Sequence, residues 1–242
     1  MSQGWRGVVG YVKPSYWPGS LERLIRLLPE GIGVIPLYAG AKSGTQEDLA
    51  NALKVAEQRV DELASIGIVD VIYIGGAPPP MLLGYDADHK LAQRLTQKHG
   101  IPVILTTTAL VEALRALSVK RLIAITYFGD ELNRKFAQYL TDAGFEPAAI
   151  QGIAAGEFKD VGKIPAGDIY AAAKKTFLKA GGADAIFLLG GVWESISIIE
   201  RLEQDLQTTV VGGEQIDLWV ILRALRIREP IKGYGKLLSE LP

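Results

Sequence analysis

Short apolar runs, rich in β-branched residues, alternate with longer amphipathic segments along this whole chain. The short runs predict eight β-strands, at residues 7–12, 33–37, 69–74, 102–105, 121–126, 148–153, 185–189 and 208–211. The longer segments predict eight helices, at residues 19–28, 45–66, 86–99, 109–117, 130–143, 166–179, 194–206 and 215–225. A chain that alternates strands and helices folds into right-handed βαβ units around parallel sheets. We therefore expect an α/β protein.

The strand–helix order is also duplicated. Residues 7–105 and 121–211 each carry four predicted strands, and the third strand of each series ends in a glycine pair, Gly75-Gly76 and Gly190-Gly191. The duplication predicts two similar lobes. Ligands of parallel sheets bind outside the carboxyl ends of the strands, where glycine lets backbone N–H groups approach an oxyanion. The glycine pairs thus indicate a ligand site between the lobes, although tight strand-to-helix turns would equally explain them.

The composition excludes several classes of chemistry. None of the 242 residues is cysteine, so disulfides, thiolate metal sites and thiol nucleophiles are absent. A net charge of −1 gives no reason to expect nucleic acid or an anionic membrane as a partner. No apolar window is long enough to span a membrane, and the first residues lack the apolar stretch of a signal peptide, so we expect a cytoplasmic protein. The motifs of zinc proteases, serine hydrolases, P-loops and dinucleotide sites are also missing.

Several segments resemble one known family. They are Gly10-Tyr11-Val12-Lys13-Pro14-Ser15, Thr106-Thr107-Thr108-Ala109, Arg121-Leu122-Ile123-Ala124-Ile125-Thr126-Tyr127, Val210-Val211-Gly212-Gly213-Glu214-Gln215-Ile216-Asp217-Leu218-Trp219 and Gly233-Tyr234-Gly235-Lys236-Leu237-Leu238. This pattern is similar to arylmalonate decarboxylases and maleate cis–trans isomerases, within the aspartate/glutamate racemase superfamily. The resemblance implies two Rossmann-like lobes with four-stranded parallel sheets, related by a pseudo-twofold axis. It implies a first lobe of residues 1–113 with 217–242, a second lobe of residues 114–216, and a last helix that returns to the first lobe.

The resemblance also implies a site in the cleft that binds a small carboxylate without a cofactor or metal. The family's chemistry depends on cysteine at the end of the third strand of one or both lobes. These positions fall on Gly75 or Gly76 and on Gly190. Glycine has no titratable group, so neither proton transfer nor thiolate attack can start there.

Two residues are candidates for replacing the lost thiols. Glu194 follows Trp193 close to Gly190, and a carboxyl buried beside tryptophan would have the raised pKa of a general acid. The helix dipole also favours an acidic residue in the first turn of a helix, and this would equally explain a glutamate at position 194. Lys13 follows the first predicted strand and could bind a carboxylate or act as a base, or it could face solvent.

The remaining candidates are expected to bind substrate. They are Pro14, Ser15, Tyr16, Trp17, Gly75, Gly76, Ala77, Tyr127, Phe128, Asn133, Gly190, Gly191, Val192, Trp193 and Glu214. Glu214 is a second candidate base, Asn133 is as well explained by a structural role, and the three prolines at 78–80 predict a stiff, extended loop. His89 and His99 fit the ends of a helix, so we expect no metal site.

A lyase-type, decarboxylase-like reaction on a small carboxylic acid, aromatic acids included, needs charge stabilisation and one proton donor, and it is the reaction most compatible with cysteine loss. Isomerisation through a covalent thioether is excluded. Two alternatives stay open: an isomerase or hydrolase of a small dicarboxylic acid or derivative, and a non-catalytic protein that binds a small acid. A homo-oligomer is also left open.

Overall fold

The computed structural model describes residues 4–153 and 157–241, which contain two four-stranded parallel sheets. The first sheet is built from β1 (Gly7–Ser15), β2 (Ile32–Ala41), β3 (Val71–Ile74) and β4 (Val103–Leu105). The second is built from β5 (Arg121–Thr126), β6 (Glu146–Gly152), β7 (Ala185–Leu188) and β8 (Thr209–Gly212). Their strand orders, β2-β1-β3-β4 and β6-β5-β7-β8, are the same order offset by four strands. The predicted fold class, with two similar lobes, is thus confirmed.

Helices connect the strands and cover the sheets. In chain order they are α1 (Ser20–Leu27), α2 (Gln46–Ser65), α3 (Pro78–Met81), α4 (Tyr85–His99), α5 (Thr106–Ala116), α6 (Asp130–Asp142), α7 (Ala166–Lys179), α8 (Ile199–Leu206), α9 (Gly213–Ala224) and α10 (Lys236–Glu240). Two 3-10 turns, Phe158–Lys163 and Ile196–Ile198, complete the set. None of the helices within the described ranges is both long and apolar enough to cross a membrane.

Three local expectations differ from the structure. The prolines at 78–80 open the short helix α3 instead of an extended loop, because a φ fixed near −65° and a missing N–H are both tolerated in a first helical turn. Strand β1 continues to Ser15, so Lys13 lies within the strand and not after it. The helix predicted from residue 194 begins only at Ile199, after a 3-10 turn, so Glu194 precedes the helix and does not lie in its first turn.

Helix α9 crosses from the second sheet to the first lobe. It follows β8 directly and packs on α5 and α1, as the resemblance implies for the last long helix. All residues from Gly213 to Leu222 are buried, so α9 lies in the middle of the molecule. The division of the lobes at 113/114 and 216/217 stays a prediction.

A buried carboxylate joins the two lobes away from the cleft. Asp88 of α4 is fully buried, and the Tyr139 hydroxyl of α6 donates a hydrogen bond to its Oδ2 at 2.5 Å. The Nδ1 atom of His89 lies 2.7 Å from Asp88 Oδ1, and this contact raises the pKa of His89. His99, at the end of α4, pairs with Asp61. Both histidines therefore contact carboxylates of neighbouring helical residues.

Candidate functional site

A cavity of about 230 Å³ lies where the carboxyl ends of the two sheets face each other. Both lobes contribute residues that the sequence predicts for the site. Those lining the cavity are Lys13, Pro14, Ser15, Gly76, Ala77, Tyr127, Phe128, Gly190, Gly191 and Val192. The structure thus brings Gly76, Gly190 and Gly191 to one cavity, whereas Gly75 faces a smaller void behind the wall.

The three glycines at the expected cysteine positions have no room for a side chain. A Cβ on Gly75 would lie 2.7 Å from the Tyr11 hydroxyl oxygen. A Cβ on Gly190 would lie 2.7 Å from the Cα of Gly213, a backbone atom that cannot move aside cheaply. Gly76 has a φ of +88°, and its Cβ would lie 2.5 Å from Pro14. These glycines are therefore required by the packing around them.

Asp217 of α9 places a carboxyl group in the cavity wall. Its Oδ1 accepts a hydrogen bond from the Tyr73 hydroxyl, and its Oδ2 accepts one from the Tyr11 hydroxyl at 3.3 Å. The Tyr73 hydroxyl oxygen also lies 2.8 Å from Oγ1 of Thr106. We call these four residues the Asp217 network. It joins β1, β3 and α5 to α9.

Burial raises the pKa of Asp217 to about 7. The hydrogen bond from Tyr73 lowers the pKa of Asp217 and so opposes this shift, while the negative charge of Glu214 raises the pKa further. The hydrogen bond from Tyr11 also lowers the pKa. Burial and the Asp217 charge raise the pKa of both tyrosines, so their hydroxyls stay protonated near neutral pH. A carboxyl with a pKa close to neutrality can both give and take a proton there.

Glu214 is held by a buried ion pair. It is 2% exposed, and its Oε1 lies 2.8 Å from Nε and 2.5 Å from Nη2 of Arg23. Arg23 also donates to the carbonyl of Trp193 at 3.0 Å. Burial raises the pKa of Glu214, while Arg23 opposes the shift. Glu214 lies outside the lining, and the pair ties α1 to the start of α9.

Lys13 lines the cavity, but its ammonium group contacts its own loop. Nζ donates to the carbonyls of Ser15, at 3.0 Å, and of Trp17. Burial lowers the pKa of Lys13, and the Glu22 carboxylate partly offsets this. These contacts use two of the three N–H donors and organise the loop after β1.

The other loop residues lie outside the cavity lining. Tyr16 is 65% exposed and stacks on Tyr38, and Trp17 packs edge-on against Phe158. The aromatic side chains that the sequence suggested for substrate contact here therefore pack against strand β2 and the first 3-10 turn.

Glu194 and Trp193 do not reach the cavity lining. The Glu194 carboxylate accepts hydrogen bonds from the backbone N–H of Ser197 at 3.0 Å and from its hydroxyl at 2.7 Å. This geometry caps the turn that precedes α8. Trp193 is fully buried and donates its indole N–H to the carbonyl of Leu189. Both side chains therefore stabilise the segment after Gly191.

Tyr127 reaches the cavity and Asn133 does not. The Tyr127 hydroxyl donates to the carbonyl of Gly190 at 3.3 Å, and burial raises its pKa. Asn133 accepts from the Thr126 hydroxyl at 2.7 Å and donates to the carbonyl of Phe128 at 3.1 Å. Asn133 thereby fixes the turn between β5 and α6.

The Asp217 network is the part of the site that the sequence reasoning missed. The available signal was Asp217 itself, a charged residue between Ile216 and Leu218 in an apolar run. Charged residues are rarely buried without a partner or a function. The apolar wall was also missed, and it includes Leu49, Leu110, Leu132, Phe158, Val161, Phe187, Leu189 and Ile216.

Comparison with known proteins gives matches over most of the chain. The family model described as arylmalonate decarboxylase matches residues 40–238. Arylmalonate decarboxylase of Bordetella bronchiseptica is 23% identical over 151 residues, which are 62% of this chain and 63% of that protein. Maleate isomerase of Nocardia farcinica is 29% identical over 133 residues, which are 54% of this chain and 52% of that protein. The chain thus aligns with between about half and two thirds of the length of these curated relatives.

A solved structure extends the likeness of fold to the whole chain. The Nocardia farcinica maleate cis–trans isomerase, as a cysteine-to-serine variant with a covalently bound succinylcysteine intermediate, matches with a TM-score of 0.88 at 24% identity. The match covers 98% of this chain and 99% of the other. Because the family model spans well over half of the residues, this protein belongs to the arylmalonate decarboxylase family.

Proposed function

We propose that the protein is a cofactor-independent, decarboxylase-like lyase that acts on a small carboxylic acid bound between the lobes. In this proposal Asp217 takes over the proton transfer that cysteine performs in the family. One observation carries it: a buried carboxyl in the cavity wall, with a pKa of about 7, in a chain without cysteine.

The reaction needs few groups. The bond between Cα and the carboxyl carbon breaks, its electron pair forms an enolate, and CO₂ leaves. Protonated Asp217 then gives its proton to Cα and regains one from water. Thr106 and Gly213, the first residues of α5 and α9, line the cavity, and the positive ends of the two helices favour negative charge there.

A protein that binds a small acid without turnover is the second candidate. It is supported by the contacts of Lys13 and Glu194, which bond to their own loops, and by the closed packing at Gly75 and Gly190. Isomerisation and hydrolysis have less support, because no second carboxyl faces Asp217 within the described lining except Glu157. That residue is largely exposed and pairs with Lys159.

Asp217→Asn tests the proposal. Asparagine keeps the shape of aspartate and can still accept from Tyr73, but it cannot transfer the proton. Turnover, measured as CO₂ release from a panel of aryl- and alkyl-substituted malonates and β-keto acids, is expected to fall about 10²- to 10⁴-fold. Asp168→Asn, at an exposed position on α7, is the matched control.

Three results separate the candidates. Retention of more than half of the turnover in Asp217→Asn would remove Asp217 from the mechanism. Thermal stabilisation by an acid without any turnover would favour the binding protein. A loss of turnover in Glu194→Gln equal to that in Asp217→Asn would return the role to Glu194.

A further inference from the structure

We propose that the protein has a second binding site, for a small anion with at least two phosphoryl groups, in a groove at the end of helix α9. The groove is lined by Ala116, Trp219, Leu241 and three arginines, Arg223, Arg226 and Arg228, which we call the arginine cluster. It shares no lining residue with the cavity between the lobes, so the site does not depend on the proposed function.

The groove carries three positive charges and no negative one. None of its lining side chains is acidic, and no carboxylate of the described residues lies within 4.0 Å of the arginine cluster. Residues 1–3, 154–156 and 242 contain no acidic side chain. Glu229, which follows the cluster in the chain, is bound to Arg6 at 2.7 Å. Cations that line one groove repel each other, and an anion between them removes this repulsion.

One arginine of the cluster is held in place by an aromatic ring. The guanidinium carbon of Arg223 lies 4.5 Å from the centre of the Trp219 ring, in a cation–π contact. Trp219 is itself fixed, because it is 2% exposed and donates its indole N–H to the carbonyl of Leu241 at 2.7 Å. A guanidinium over an aromatic face keeps its N–H donors, which lie in its own plane. Arg223 therefore offers a preorganised fork to an anion.

Arg226 occupies a backbone position that favours glycine. Its φ is +58°, and its N–H donates to the carbonyl of Arg223 at 3.0 Å, just beyond the end of α9. Glycine is the usual residue at such a helix end, because a side chain strains the left-handed conformation. An arginine here is unfavourable for the fold but adds a cation to the groove, and this points to a role in binding.

The helix dipole does not account for the cluster. The partial negative charge at the end of a helix attracts cations, but its effect falls off within the last turn. Arg223 lies in the last turn of α9, whereas Arg226 and Arg228 follow the helix, which ends at Ala224. The dipole thus explains one of the three arginines.

The chemistry of the groove indicates the class of ligand. Each guanidinium fork can bind two oxygens of one phosphoryl group. Three cations around a groove of about 490 Å³ match a compact ligand on which two phosphoryl groups place their charges side by side. Inorganic pyrophosphate and the diphosphate of a nucleotide share this chemistry. Because Trp219 is buried beneath Arg223, the described lining offers no aromatic face on which a base could stack, so we expect the phosphoryl groups alone to be bound.

Titration calorimetry of the full chain with inorganic pyrophosphate tests the site. Replacement of the whole arginine cluster by glutamine is expected to weaken binding at least about tenfold. The matched control removes the same charge by replacing three exposed cations of α7, Lys174, Lys175 and Lys179, by glutamine, and it should bind like the wild-type protein. An equal loss in both variants, or no binding at about 1 mM pyrophosphate, overturns the proposal.

Arg226→Gly separates a role in binding from a role in the fold. Glycine relieves the backbone strain, so the melting temperature without ligand should stay the same or rise, while pyrophosphate binding weakens severalfold. Unchanged binding in this variant would remove Arg226 from the site.

ADP and orthophosphate determine the class of ligand. ADP is expected to bind within about threefold of pyrophosphate, and orthophosphate at least about tenfold more weakly, since it can engage fewer guanidinium groups. ADP that binds more than about tenfold tighter than pyrophosphate would show recognition of the nucleoside and refute a site for phosphoryl groups alone. Orthophosphate that binds as tightly as pyrophosphate would refute the need for two phosphoryl groups.

Discussion

The hydroxyl oxygen of Tyr11 lies 2.7 Å from the point that a Cβ atom on Gly75 would occupy. The same oxygen donates to Asp217 at 3.3 Å. The Tyr11–Asp217 pair therefore lies beside Gly75, one of the two residues on which the first expected cysteine position falls. The carboxyl group of Asp217, on a helix that follows the last strand of the second sheet, thus lies one hydrogen bond away from Gly75.

Removal of the Tyr73 hydroxyl should move the pKa of Asp217 upward. The hydrogen bond from Tyr73 stabilises the ionised carboxylate and lowers its pKa, so Tyr73→Phe leaves burial and the Glu214 charge to raise it above about 7. The pH profile of kcat/KM, or the carboxyl carbon signal of Asp217 in an NMR titration, should shift to higher pH. A shift to lower pH would show that the bond instead favours the protonated form.

The stability of the wild-type protein should fall between pH 4 and 7 relative to Asp217→Asn. The pKa of Asp217 rises from 3.8 in an ordinary setting to about 7 in the folded protein. Between these values the folded state holds a proton that the unfolded chain has lost, so the free energy of unfolding decreases as pH rises. The slope is at most about 1.4 kcal/mol per pH unit and ends above about pH 7.

Urea unfolding at pH 5, 6, 7 and 8 measures this difference. The contribution of Glu214, whose pKa is also raised, is common to both proteins and largely cancels. Parallel stability curves for the two proteins would mean that the Asp217 carboxyl titrates in the folded state as it does in the unfolded chain.

Arg23→Met should destabilise the protein by about 3–5 kcal/mol, because it leaves the Glu214 carboxylate buried without its partner. The loss should be larger at pH 8 than at pH 5, since the raised pKa of Glu214 lets it become neutral in acid. The double variant with Glu214→Leu removes both charges and should recover much of the loss. Chemical denaturation of the wild-type protein, Arg23→Met and the double variant at pH 5 and pH 8 measures these free energies of unfolding. A double variant no more stable than Arg23→Met would contradict the buried-charge explanation.

Gly190→Ala should be costly and Gly167→Ala should not. The new methyl group at 190 would lie 2.7 Å from the Cα of Gly213, so the segment after β7 and the start of helix α9 must separate, at a cost of about 3 kcal/mol. Gly167, exposed in α7, has nothing within 4 Å, and alanine there should be neutral or stabilising by up to about 1 kcal/mol. Equal melting temperatures for the two variants would contradict the packing described here.

Most of the fold was predictable from the sequence because buried parallel strands are short apolar runs that differ clearly from amphipathic helices. All eight strands occur within four residues of their predicted ends. Element starts were harder, since they depend on local caps. Pro78 begins a helix where three prolines suggest extension, and the Glu194 carboxylate caps Ser197 instead of beginning a helix that faces the cavity.

The candidate site was predictable only in part. The glycine pairs could be placed in the cleft because the carboxyl ends of parallel strands share one edge. The Asp217 network could not, because it joins residues far apart in the chain. Tyr11 and Asp217 are 206 positions apart, and Tyr73 and Asp217 are 144 apart. Their contact depends on how α9 packs across the lobes, and the hydrophobic periodicity of a sequence does not predict such packing.

The backbone contact between Gly190 and Gly213 also limits which residues position 190 can accept. Any side chain at 190 meets the Cα of Gly213, so a single mutation to cysteine there would strain the molecule. A side chain there requires a compensating shift of α9, and that helix also carries Asp217. Any substitution at position 190 would therefore also disturb the helix that carries the cavity-lining carboxyl of Asp217.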